Sequence, residues 1–182
     1  MMLAYKGFEP GLVCRGYQFQ SGTNVTAQAN CKKNGFHCAA NPLDCLIYYP
    51  DPQGSVYYLV DAGGDLDEDG IDTKISCTEL TILRELELDR LILHGLAFMA
   101  DHPRLKWSNV VQKDRAKATA GFAVARGVDP IAHGKIGDIL ALAKENVQGN
   151  QIVQIAMTRV DGKKILPNVW YDADWKKRGN VL

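Results

Sequence analysis

Apolar and polar residues alternate with a two-residue period over several short stretches of the chain, and with a helical period over one. Met2–Phe8, Leu12–Tyr17 and Asn24–Ala29 each read as a strand. A fourth, Phe36–Cys38, is entered through Gly35 and turns at Asn41-Pro42 into a short helix with an apolar side of Leu43, Leu46 and Ile47. Asn41 suits the cap of that helix and Pro42 its first position, where a missing N–H costs nothing, and Pro50 ends it. Strand, cap, helix and stop thus fall within Asn34–Pro50, which reads as the packed nucleus. Asp51–Gly54 is turn chemistry, and Ser55–Asp61 is a strand rich in β-branched and aromatic residues. Ala62–Gly70 reads as an acidic loop, and Lys74–Glu85, with Ile75, Cys77, Leu80 and Ile82, as one or two strands. The period then lengthens. Leu88, Leu91, Ile92, Leu96 and Met99 lie on helical spacing, and Pro103 stops them.

Lys106–Asp114 is polar apart from its tryptophan and its valines, and reads as a joint. Beyond it, small residues alternate through Ala116–Gly134, with Gly121, Gly127 and Gly134 nearly evenly spaced, a texture of short strands turning corners in a solenoid. Ile139–Lys144 and Ile152–Val160 read as antiparallel strands. Asp161-Gly162 would turn the chain into Lys163–Ile165, Pro167–Tyr171 would close the sheet, and Trp175–Leu182 is a loosely held tail. The expected fold is α+β: a mainly antiparallel β domain with two or three helices over residues 1–112, then a small β-rich domain over 113–182 containing a short solenoid-like segment.

Composition narrows the classes of function. The 182 residues carry 21 basic and 21 acidic side chains, so no net field draws the protein to nucleic acid or anionic lipid. No apolar run is long enough to span a bilayer, and the first residues lack the apolar core of a signal peptide. With 5 cysteines, an odd number, reduced thiols in a cytoplasm are expected. Cys31, Cys38 and Cys45 recur every seven residues beside His37, but no C-x-x-C pair is present, and buried structural cysteine is the better reading.

Three stretches resemble a family of uncharacterised phage and prophage proteins. They are Ala4–Phe8 with Cys14–Tyr17, Asn34–Tyr49, and Val160–Ile165 with Pro167 and Trp170-Tyr171. Many members of that family carry alanine- and serine-rich repeats ahead of the final sheet, here shortened to Lys113–Gly137. The resemblance implies a phage or prophage origin and an architecture, with the host cytoplasm or the virion as location. It implies no activity.

Two groups of residues carry candidate chemistry. Asp65, Asp67 and Asp69, with Asp72 beyond, open like a calcium loop, where alternate carboxylates converge on a hard cation, although Ser76 stands where a bidentate glutamate is expected. The bland alternative is a solvated acidic turn. Arg15, His37, Tyr48 and Tyr49 form the second group. Their order along strand, strand and helix is similar to that in ADP-ribosyltransferases, where a basic or histidine residue and a ring hold NAD and a later glutamate orients the ribose. That likeness would give the glutamate's role to Glu79 or Glu85. Against it, Arg15 would pair with Asp44, His37 would be a satisfied half-buried imidazole, and the tyrosines would be core. The favoured reading is a non-enzymatic protein that binds another macromolecule, a virion component or a host factor such as a defence protein, and that can form homo-oligomers. It needs no cofactor, no nucleic acid and no membrane. The second reading is an NAD-using, ADP-ribosyltransferase-like enzyme, and the third a calcium-stabilised structural module.

Overall fold

A computed structural model describes residues 2–31, 33–68, 70 and 73–179. Contacts divide the chain into two compact units, Met1–Leu91 and Ile92–Leu182. The division falls inside a helix, earlier than the 112/113 boundary expected from composition. Residues 103–112 belong to the second unit because the Arg126 guanidinium donates to the Pro103 carbonyl and lies 4.6 Å from the centre of the Trp107 ring.

The first unit is built from β1 (Met2–Phe8), β2 (Val13–Cys14), β3 (Tyr17–Gln18), β4 (Gly22–Val25), β5 (Phe36–Ala39), a 3-10 turn (Pro42–Asp44) that runs into α1 (Cys45–Tyr48), β6 (Val56–Glu68) and β7 (Lys74–Leu86). The long antiparallel pair β6–β7 is the frame, with β1 on the free side of β6 and β5 and β4 on the free side of β7. β1 and β5 then meet and close the strands into a ring, but only through Tyr5 and Ala39. Inward-facing Ala4, Phe8, Phe36, Cys38, Val60, Ile75 and Cys77, with Phe19, fill its interior. Three expectations change here. Leu12–Tyr17 is a hairpin, β2 turning into β3 at Arg15-Gly16. Ala62–Glu68 is the end of β6, because Leu66, Asp67 and Glu68 find ladder partners in Cys77, Ser76 and Ile75. Asn24–Ala29 is strand only as far as Val25.

α2 (Leu88–Asp101) spans the division and keeps the helical spacing read from Leu88 to Met99. The second unit continues with β8 (Val111–Lys117), β9 (Phe122–His133), β10 (Ile139–Glu145), β11 (Ile152–Arg159), β12 (Trp170–Tyr171) and β13 (Lys177–Arg178). β9 pairs in parallel with both β8 and β10, and β11 lies antiparallel on the outer side of β10. Alanines at 116, 123, 125 and 132 let these strands close around Leu140, Leu142 and Tyr171. Lys163–Ile165 does not form the expected strand: the Asp161 carboxylate accepts the amides of Lys163, Lys164 and Ile165, so those donors never reach a ladder. The tail is pinned as far as Arg178, which pairs with Asp129 and Asp172. Among the described residues the structure is mostly antiparallel β, and α1 and α2 are its α-helices, both short, so α+β describes it only loosely. No described helix is long and apolar enough to cross a membrane.

Candidate functional site

The single Tyr5–Ala39 pair is the weak seam of the first unit. Beyond it β1 and β5 part, and a cavity of about 580 Å³ opens between them. Lys6, Cys14, Arg15, His37, Tyr48, Tyr49 and Lys74 are among the side chains that line it. The nucleus read from the sequence builds one wall. Asn41 Oδ1 accepts the Leu43 amide at 3.0 Å and starts the helical segment. Asp44 accepts the Thr73 hydroxyl at 2.7 Å, which ties that segment to the start of β7 and brings Lys74 Nζ to 5.5 Å from the centre of the Tyr48 ring. Tyr49 follows, its carbonyl accepting the Tyr57 hydroxyl at 2.7 Å.

Lys6 is the least expected member. It stands at an inward position of β1 between Ala4 and Phe8, and is only 4% exposed. An ammonium taken out of water needs compensation. Here the His37 carbonyl accepts from Nζ at 2.7 Å, the Cys14 sulfur lies at 3.5 Å, and the rings of Phe8 and Phe19 lie 5.0 and 5.2 Å away. No carboxylate pairs with Lys6 among the described residues.

Arg15 sits at the tip of the β2–β3 hairpin with φ 50°, followed by Gly16 at φ 78°. Two-residue hairpin turns with positive φ at both positions favour Asn-Gly, and an arginine there is strained. Strain of this kind clusters where a side chain is wanted for another purpose. The guanidinium has no hydrogen bond or ion pair among the described residues and lines the cavity mouth. It makes no ion pair with Asp44, whose Oδ2 accepts from Thr73.

His37 Nε2 lies 3.1 Å from the Cys31 carbonyl. A carbonyl can only accept, so Nε2 carries the hydrogen. Burial holds the His37 pKa below its ordinary value despite that bond, and Lys6, Lys74 and Arg15 push the same way. The imidazole is therefore neutral at pH 7, and the cavity's charges are Lys6, Arg15 and Lys74 against Glu9. Among the thiols, Cys38 is pushed well up by its contact with Cys77 and by burial, and Cys45 is pushed up to about 12 by burial. Cys14 differs from them, because its sulfur accepts from the Tyr49 hydroxyl at 3.0 Å.

Of the residues singled out in the sequence, Arg15, His37, Tyr48 and Tyr49 line this one cavity, while Glu79 and Glu85 do not. Glu79 is exposed on β7 opposite Gly63, and Glu85 accepts the Tyr58 hydroxyl at 2.9 Å. Asp65 and Asp67 lie in extended β6, with Asp67 accepting the Cys31 amide at 2.7 Å. Asp69 and Asp72 lie outside the described residues. Among those described, no cluster of three or more histidine, cysteine or acidic side chains is placed to hold a metal. Lys6, Cys14 and Lys74 were missed. The available signal for Lys6 was its parity, a lysine between Ala4 and Phe8 on the inward face of a strand.

The first unit is thus a small closed β structure with a cation-lined cavity at its seam. Residues 2–94, just over half of the chain, match a family described as a domain of unknown function, DUF7666, and the chain belongs to it. The match covers the first unit and with it every residue that lines the cavity. No curated protein and no solved structure matches the chain.

Proposed function

We propose that the first unit binds a small anionic ligand carrying a flat ring, with the chemistry of a nucleotide, in the cavity between β1 and β5. The observation that carries this reading is the surplus of cations. Among the described residues neither Lys6 nor Arg15, both in the cavity lining, pairs with a carboxylate, and Lys6 is buried. A phosphate or carboxylate group would supply the missing counter-charge, and Tyr48, 46% exposed beside Lys74, offers a ring face for stacking. The volume suits a ligand of this size. Binding is favoured over NAD cleavage, because the glutamates an ADP-ribosyltransferase-like mechanism would use, Glu79 and Glu85, lie away from the cavity.

Thermal melting and calorimetric titration with ATP, ADP, NAD and neutral adenosine test the proposal. The phosphorylated ligands should raise the melting temperature, since a ligand that binds only the native state stabilises it by mass action, and adenosine should do so far less. Lys74→Ala should remove most of the effect, and Glu79→Ala and Glu85→Ala should preserve it. Absence of any shift at millimolar ligand sinks the reading. Release of nicotinamide from NAD would favour the enzyme instead.

One observation favours the macromolecule-binding reading as a second function, carried by the other unit. β11 is an edge strand and presents Val153 and Ile155 outward, 58% and 39% exposed. Open edges with apolar side chains accept a further strand. A virion or host protein in a phage or prophage setting would be the partner. Loss of its co-purification on Val153→Lys, with folding intact, is the expected result.

A further inference from the structure

We propose that Cys14 is a nucleophilic thiol that captures, as a covalent adduct, a soft carbon electrophile bearing an anionic group. The proposal rests on the cavity's being a site for anions. The attacking form of cysteine is the thiolate, and reactive cysteines lie in partly exposed surroundings with cations and donors turned toward the sulfur. Cys14 has these surroundings. It is half-buried, the Tyr49 O–H points at its sulfur from 3.0 Å, and Lys6 Nζ stands at 3.5 Å. Tyr49 remains a donor, since burial and the Cys14 contact both hold its phenol in the protonated form.

The other cavity thiols lack this combination. Cys31 is buried with its sulfur 3.5 Å from the Lys74 carbonyl. Cys38 and Cys45 are buried as well. Geometry also supplies a route. Arg15, next in the chain and at the mouth, meets the anionic group, and the electrophilic carbon follows toward the sulfur. In the step itself a sulfur–carbon bond forms and the bond from carbon to its leaving group breaks. The leaving group departs with the electron pair, and the thiol proton passes to solvent. Lys6 and Tyr49 hold the sulfur's negative charge until the bond forms.

Iodoacetate and iodoacetamide deliver the same carbon electrophile with and without a carboxylate, and iodide is the leaving group for both. The full-length protein is treated with each, and the rate at every cysteine is read by mass spectrometry. Each rate is normalised to the same cysteine in urea-unfolded protein. Cys14 should react about tenfold faster than Cys31, Cys38, Cys45 and Cys77, and its normalised iodoacetate-to-iodoacetamide ratio should rise several-fold above one. Arg15→Asn should lower that ratio while Cys14 stays reactive. Tyr49→Phe, which leaves Lys6 in place, should slow both reagents about tenfold. Native reactivity at Cys14 no greater than at the buried cysteines, or a normalised ratio of one, overturns the proposal. If no nucleotide binds but Cys14 keeps its rate and its preference for the anion, the nucleotide reading falls and this one stands. If nucleotides bind and Cys14 is inert, this one falls alone.

Discussion

The Tyr49 ring lies on the backbone of Gly7, so close that a Cβ at residue 7 would stand 2.7 Å from the ring's Cγ. Gly7 has no positive φ, so its demand is for space alone. Gly7→Ala must displace the ring, and with it the hydroxyl that reaches Cys14. The cost should be about 1 to 3 kcal/mol, the usual penalty for overpacking, read as a lower urea midpoint. The same variant should lose the reactivity of Cys14.

Arg15 sets stability against binding. At φ 50° it occupies a position that asparagine fills with less strain. Arg15→Asn should therefore raise stability by about 0.5 to 1 kcal/mol while weakening the binding of anionic ligands. Denaturant melts and ligand titrations on the same variant check both signs. A stabilised protein that bound ADP unchanged would remove Arg15 from the site.

The lowered His37 pKa makes stability depend on pH. Between the ordinary value of 6.5 and the lowered native one, the unfolded chain holds a proton on this imidazole that the native protein does not. Stability is therefore complete above pH 6.5 and declines as pH falls below it. His133, lowered by burial and by Lys117, acts in the same direction. Urea midpoints at about pH 7.5 and about pH 5.5 should show the decline, and His37→Gln should shrink the difference without removing it.

In the second unit Arg126 is 1% exposed and its Nε lies 2.8 Å from Glu145 Oε1. Glu145→Ala leaves a buried guanidinium without its counter-charge and should cost about 3 to 5 kcal/mol. Arg126→Met together with Glu145→Leu should recover much of that loss, because no charge is then buried. If the double replacement is as damaging as the single one, the pair matters for its shape and not for its charge.

Local periodicity made several elements legible. The alternation in Met2–Phe8, Ser55–Asp61 and Ile139–Lys144 marks strands because successive side chains face opposite sides, and the spacing from Leu88 to Met99 marks a helix for the corresponding reason. Asn41-Pro42 marked a helix start through its own chemistry, before any tertiary contact. Arg15 hid a turn, since an arginine gives little warning of positive φ and the apolar alternation around it reads straight through. Asp65 and Asp67 suggested a loop by their charge, yet Asp67 pairs with Ser76 of β7 and the Asp65 amide donates to the Thr78 hydroxyl, and both lie in a strand.

By itself the sequence determined which segments extend, which one coils and where the nucleus begins, because these follow from the preferences of neighbouring residues. It also nominated Arg15, His37, Tyr48 and Tyr49. Tertiary structure decided that these four share a cavity and that Glu79 and Glu85 do not, because β1 and β5 touch at one residue pair and part beyond it. It decided the fate of Lys6 too. A lysine can occupy an inward strand position only when a carbonyl, a sulfur and two rings from separate segments surround its charge, and no local pattern records that convergence.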